Sequence, residues 1–157
     1  MPRALAIAAC VVLAGCGYRT AVRGAPLAGG AEHVAVAPFD ARTADAEVGG
    51  FVTEAVREDL ARRGVAVGEG ARSRIDGVVE ETVYFPSSPN GATWRLALVV
   101  SARLVTEGAP AAEARVRREV EYLAGQDPLE TEGRRRIALR RASEAAAREL
   151  IEKLETR

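Results

Sequence analysis

"TWRLALVVSARLV", residues 93–105, alternates: Trp94, Leu96, Leu98, Val100 and Leu104 fall on one side, and Arg95, Ala97, Val99, Ser101 and Arg103 on the other. A period of two is that of a strand with one apolar and one mixed face. The neighbouring stretches read alike. "SRIDGVVEETVYF" (73–85) places Ile75, Val79, Val83 and Phe85 on one side. "EARVRREVEYL" (113–123) places Val116, Val120 and Tyr122 inside and Arg115, Arg117, Glu119 and Glu121 outside. "PSSPNGA" (86–92), with its Asn90-Gly91 turn signal, joins the first two, and "EGAP" (107–110) turns between the next two. This is an antiparallel meander.

Helical spacing flanks the meander. In "DARTADAEVGGFVTEAVREDLARRG" (40–64), Val48, Val52, Val56 and Leu60 recur every four residues, with Phe51 and Ala55 beside them. Thr43 or Asp45 can cap the start, and Gly49-Gly50 weakens the first turns enough to allow a later one. Arg62 and Arg63 suit the last turn, and Gly64 the position after it. After the meander, "DPLE" (127–130) offers Asp127 as cap, Pro128 at the first helical position and Glu130 to complete a capping box. Leu139, Ala142, Ala146, Leu150 and Leu154 then form a stripe, with Glu144–Arg148 and Glu149–Lys153 spaced as ion pairs on the wet face. Ahead of the first helix, "HVAVAPF" (33–39) suits a strand packed on both faces, and Pro38 ends it. The order β-α-β-β-β-α predicts an α+β two-layer sandwich, with two helices on one face of a four-stranded mixed sheet. The other face is left without a layer.

The chain opens "MPRALAIAACVVLAGC", a charged start, an uncharged run from Ala4 to Ala14 and small residues at the exit. The run is about half of the roughly 20 residues that span a bilayer, so it reads as an export signal, residues 1–15. Leu13-Ala14-Gly15-Cys16 resembles the lipobox of bacterial lipoproteins, which implies cleavage between Gly15 and Cys16 and acylation of Cys16. Three acyl chains exceed the two signals that suffice for stable anchoring. Residues 16–32, rich in Gly, Ala and Pro with no apolar period, read as the lipidated cysteine and a flexible tether, and 33–157 as the folded domain.

The remaining composition narrows the function. Basic and acidic residues balance, 22 against 22, so no global field favours nucleic acid. Lys153 is the only lysine, which makes the arginine richness weak evidence for phosphate binding. On the lipobox resemblance Cys10 would lie in the discarded run and Cys16 would be acylated, which would leave the mature chain no cysteine for a disulfide or metal site. The single histidine, His33, opens a strand beside the tether and reads as a surface residue. No His-x-x-x-His or Cys-x-x-Cys supplies a metal, and Ser73 stands where a dinucleotide fingerprint after Gly68-Glu69-Gly70 wants its third glycine. With no nucleophile–base set, no catalytic residue and no cofactor are expected, and the chain reads as a binding or assembly module.

Two basic groups stand out. Arg134-Arg135-Arg136 is either a solvated helix face near Glu130 and Glu132 or an anion contact. By alternation, Arg95, Arg103, Arg115 and Arg117 share the uncovered sheet face with Ala97, Val99 and Ser101. That face is either simply solvated or receives an amphiphile with phosphate headgroups.

"CGYR" after the lipobox, then "VAVAPFDARTADAEVGGFVTEAVREDLARRG", "GVVEE" and "QDPLETEGRRRIALRRASEAAARELIEKL" together resemble the lipopolysaccharide-assembly lipoprotein family LptE. The resemblance rests on element order, the "CGY" start and the Pro-Phe end of the first strand. It implies two helices on a four-stranded sheet, and a plug inside the outer-membrane β-barrel LptD that helps the barrel fold and helps deliver lipopolysaccharide to the outer leaflet. Contact with lipopolysaccharide through Arg95, Arg103, Arg115 and Arg117 follows from the resemblance and the shared face together. Gly17, not Asp, agrees with outer-membrane sorting. "VAVAPFD" before a helix also resembles the CsgG-like and LpoB-like envelope lipoproteins, secretion-pore subunits or peptidoglycan synthase activators. Their strands and helices alternate more regularly than this chain's three consecutive strands.

Overall fold

A computed structural model describes residues 26–155. Gly15, Cys16 and the export signal lie outside the described residues. The elements are β1 (His33–Val36), β2 (Asp40–Ala41), α1 (Val48–Arg62), β3 (Ala66–Val67), β4 (Ser73–Pro86), β5 (Thr93–Thr106), β6 (Ala109–Leu123) and α2 (Pro128–Leu154). The sheet is mixed and 6-stranded, in the order β3-β1-β4-β5-β6, with β2 also on β4. β1 runs parallel to β3 and β4, and β4, β5 and β6 form the antiparallel meander. The sequence reading has four strands because β2 and β3, at two residues each, are too short to show a period.

Both helices cover one face. Their stripes, Val48, Val52, Val56 and Leu60 from α1 and Leu139, Ala142, Ala146, Leu150 and Leu154 from α2, join Ile75, Val79, Leu96, Leu98, Val100 and Leu104 in one buried core. The packed chain starts ahead of His33. Leu27, inside the segment read as tether, is 1% exposed and bridges to Glu155 just past α2. An isolated apolar residue among glycines carries no period, which is why this docking was illegible in the sequence.

β4 departs from the expected alternation. Its register against β5 shifts between Val79 and Glu81, so a bulge at Glu80 exchanges the two faces beyond it. Ile75 and Val79 face the helices as expected. Val83 and Phe85 instead stand opposite Ala97 and Arg95 on the uncovered face, and Tyr84 takes the core side opposite Leu96.

α1 starts at Val48, ahead of Gly49-Gly50 and not after them, and neither expected side chain caps it. Thr43 Oγ1 is buried without a hydrogen-bond partner and the Asp45 carboxylate is engaged elsewhere. The start is fixed by Phe39. Its backbone N–H donates to Thr53 Oγ1 at 2.9 Å, and Thr53 donates to the Gly49 carbonyl at 2.7 Å. A Cβ on Gly49 would sit 2.3 Å from the Phe39 carbonyl oxygen, so the glycine is a condition of this close approach. The Phe39 ring lies on Gly77 of β4, where a Cβ would be 2.0 Å from Cε1. At the other end of α1, Gly64 N–H donates to Ala61 O and Val65 N–H to Leu60 O, a Schellman closure. α2 opens as read: Asp127 accepts from Glu130 N–H at 2.8 Å, and Pro128 is the first helical residue. The Glu130 carboxylate turns back to Gln126 N–H, also at 2.8 Å.

Candidate functional site

The uncovered face carries the residues singled out by alternation. Arg95, Ala97, Val99, Ser101 and Arg103 of β5 stand opposite Glu121, Glu119, Arg117, Arg115 and Glu113 of β6. The four arginines are therefore together on one surface. Ala97 and Val99 are 1% and 2% exposed yet lie apart from the helix-side core. Long charged side chains with apolar stems cover them, as such side chains do when their heads reach water.

Each of these arginines is matched to an acid. Arg95 reaches Glu121 at 2.7 Å, Arg103 reaches Glu113 at 2.7 Å, Arg115 reaches Glu80 at 2.8 Å and Arg117 reaches Glu119 at 3.0 Å. Arg74 and Asp76 continue the pattern on β4 at 2.9 Å. The Glu80 carboxyl is held below its ordinary range by the hydrogen bond from Arg115, then by one from Ser101. The Arg95 guanidinium is held above its own by the hydrogen bond to Glu121. Arg95 also lies 5.8 Å from the centroid of the Phe85 ring, which the bulge delivers to this face. The result is a self-neutralised lattice of guanidinium and carboxylate. An anion binding here competes with the carboxylate each arginine already holds, although both fit the guanidinium fork.

The triple arginine resolves differently. Arg134 is bonded to Glu130 and donates to Ala124 O, and Arg136 pairs with Glu47 at 2.8 Å. Arg135 reaches inward, where its Nη1 donates at 2.7 Å both to Asp45 Oδ1 and to the Tyr84 hydroxyl, and its Nη2 lies 2.6 Å from Glu132. Tyr84 in turn donates to Asp45 Oδ2 at 2.6 Å. Burial first, and then the hydrogen bond to Asp45, push the Tyr84 hydroxyl pKa above its ordinary value. This cluster ties the loop ahead of α1, the outer half of β4 and the first turns of α2 into one unit. Its distance in sequence hid it.

A second unread feature lies at the end of the sheet away from Leu27. Leu123 and Ile137, 59% and 55% exposed, come together there beside Thr93 at the start of β5. Leu123, Tyr122, Ile137 and Ala138 line a cleft there, rimmed by Arg134 and Arg141. Leu123 and Ile137 fall outside the core stripes read from the sequence, and only the return of β6 to α2 brings them together. Among the described residues, no three or more His, Cys, Asp or Glu side chains group as a metal site, and no helix is long and apolar enough to cross a membrane.

A family model described as "LptE: Lipopolysaccharide-assembly" matches residues 31–154. The chain belongs to the LptE family. Solved structures share the fold at low identity. A putative lipoprotein from Caulobacter crescentus is 20% identical with a TM-score of 0.60, over 77% of this chain and 86% of that one. The rare lipoprotein B from Shewanella oneidensis is 15% identical with a TM-score of 0.55, over 76% and 91%. PelC from Paraburkholderia phytofirmans, solved as a dodecamer, is 18% identical with a TM-score of 0.59, over 85% and 96%. No curated protein matches the sequence. Membership in LptE places the chain among lipopolysaccharide-assembly proteins, a family of accessory lipoproteins.

Proposed function

We propose that this LptE-family chain is an outer-membrane lipoprotein, held by acylated Cys16, that acts as plug and assembly partner of an LptD-like β-barrel in lipopolysaccharide transport to the outer leaflet. The observation that carries the reading is the uncovered sheet face. Among the described residues no second layer covers it, yet its apolar floor at Ala97 and Val99 is sealed by paired arginines and glutamates. A polar, charge-balanced surface of this kind suits the polar inner wall of a large barrel, because each pair can re-form across the interface with little net field to oppose entry. The part played is mechanical, and no bond in a substrate is made or broken by it.

Lipopolysaccharide contact is assigned to Arg95, Arg103, Arg115 and Arg117, where a phosphate displaces a glutamate and keeps the bidentate geometry. Reversal of Arg95 and Arg103 to Glu should weaken lipopolysaccharide binding by the purified chain beyond what any lost folding, followed by thermal unfolding, explains. Equal binding by wild type and variant would retire this assignment. Cys16→Ser should leave an uncleaved precursor that extracts more readily from membranes, and normal processing would overturn the lipobox reading. For the barrel itself, a tagged full-length chain purified from detergent-solubilised envelopes should bring down an LptD-like barrel protein. Recovery of a peptidoglycan synthase or a secretion pore instead would favour the CsgG-like or LpoB-like reading.

A further inference from the structure

We infer that the outer edge of β6 is a homotypic docking strand, along which two copies of this chain pair antiparallel about a two-fold axis at Arg118. β6 is 15 residues long and ends the sheet, with no strand beyond it among the described residues. A free edge of that length presents a row of unpaired backbone groups to any strand that can meet it.

Which groups face outward follows from the ladder. Ala124 N–H donates to Ala92 O at 2.8 Å, so alternation turns the even-numbered residues of β6 toward β5 and the odd-numbered ones outward. Lys153 of α2 supports this assignment, since its Nζ donates to the Arg115 carbonyl at 3.0 Å from beside the edge. The outward-bonding residues Arg115, Arg117, Glu119 and Glu121 are also those whose side chains stand on the uncovered face.

Their charges select one register. With the axis at Arg118, Arg115 meets Glu121 of the second copy and Arg117 meets its Glu119, and symmetry repeats both pairs. On the helix side Val116 then meets Val120, and the two Arg118 side chains, which the axis brings opposite each other, are each neutralised by their own Glu149 at 2.6 Å. Moving the axis by one residue puts Arg117 opposite Arg117 or Glu119 opposite Glu119 and leaves only one kind of opposite-charge pair, Arg115–Glu119 or Arg117–Glu121, in place of two. Directly opposed like charges destabilise a strand pair, and opposite charges stabilise it. Lys153 yields the Arg115 carbonyl without breaking a ladder bond. The pairing goes beyond the barrel reading and does not depend on it.

The test exchanges charges. Full-length chain in detergent micelles is compared by light scattering as wild type, Arg117→Glu, Glu119→Arg and an equimolar mixture of the two variants, with circular dichroism confirming that each is folded. In the proposed register each variant opposes like charges to itself, while the mixture restores every pair. The wild type should dimerise, each variant alone should dimerise at least tenfold more weakly, by rough estimate, and the mixture should recover wild-type association. A monomeric wild type, a variant that associates as well as the wild type, or a mixture that stays monomeric would each overturn the inference. Association of a foreign strand with β6 while the chain alone stays monomeric counts against it equally.

Discussion

The contact between Phe39 and Gly77 offers a quantitative test of how the first strand is locked to the meander. In Gly77→Ala the new methyl would sit 2.0 Å from Phe39 Cε1 and 2.4 Å from Cζ. The ring is 4% exposed and packed into the core, so it cannot swing away without giving up buried contacts. Overpacking of this kind costs about 1–3 kcal/mol, and the sub-contact distance places Gly77→Ala near the top, at about 3 kcal/mol. Phe39→Ala removes the ring and leaves a cavity, at about 4 kcal/mol. If the sites were independent, the double variant would lose about 7 kcal/mol. Instead, the alanine at 77 fills part of the space the ring vacates, so the double variant should lose only about 3–4 kcal/mol. Urea unfolding followed by the fluorescence of Trp94, the single tryptophan, and by far-ultraviolet circular dichroism measures all four corners of the cycle. Losses that add to within about 0.5 kcal/mol would refute the claim that the ring of Phe39 is seated on Gly77.

Other consequences follow from the same contacts. Arg135→Met should lower stability by about 2 kcal/mol by taking the cationic partner from the Asp45 carboxylate in a half-buried cluster, whereas Tyr84→Phe should cost about 1 kcal/mol; equal and negligible losses in urea unfolding would remove the cluster's structural role. Asp127→Ala should cost about 1 kcal/mol by removing the acceptor for Glu130 N–H, and Asp127→Ser should recover most of it. The carboxyls of Glu80, Glu130 and Glu132 are held below their ordinary value of 4.5, so the folded state binds fewer protons than the unfolded chain there. Their contribution is present above that value and is lost as pH falls through the depressed folded values. Thermal melts should thus show a decline beginning near pH 4 in the wild type, and a shallower one in Glu80→Gln; identical profiles would count against the Arg115–Glu80 pair.

The elements whose side chains repeat in register were legible. The stripe of α2, its Asp127-Pro128 start, the meander and the common face of Arg95, Arg103, Arg115 and Arg117 all follow from unbroken periodicity, since β5 and β6 stay in step between Arg95–Glu121 and Arg103–Glu113. The failures share a cause, which is that the deciding contact lies far off in the chain. The adjacent Glu80-Glu81 concealed a bulge, and it moved Val83 and Phe85 to the open face and Tyr84 to the core. Asp45 reads as a cap from its neighbours but finds Tyr84 and Arg135. Gly49 reads as helix-weakening until the Phe39 carbonyl is seen against it. At the candidate site, alternation located the arginines, but the glutamates that neutralise Arg95, Arg103 and Arg115 come from other strands, and only the fold shows those pairings.

The most direct test of the assembly role is site-specific photo-crosslinking in living cells. A photoreactive residue at Arg95, on the paired face, or within residues 87–90, at the pole away from Leu27, should join the full-length chain to a large LptD-like outer-membrane barrel protein. Capture of a peptidoglycan synthase at these positions, or an absence of any barrel adduct from both, would contradict the account.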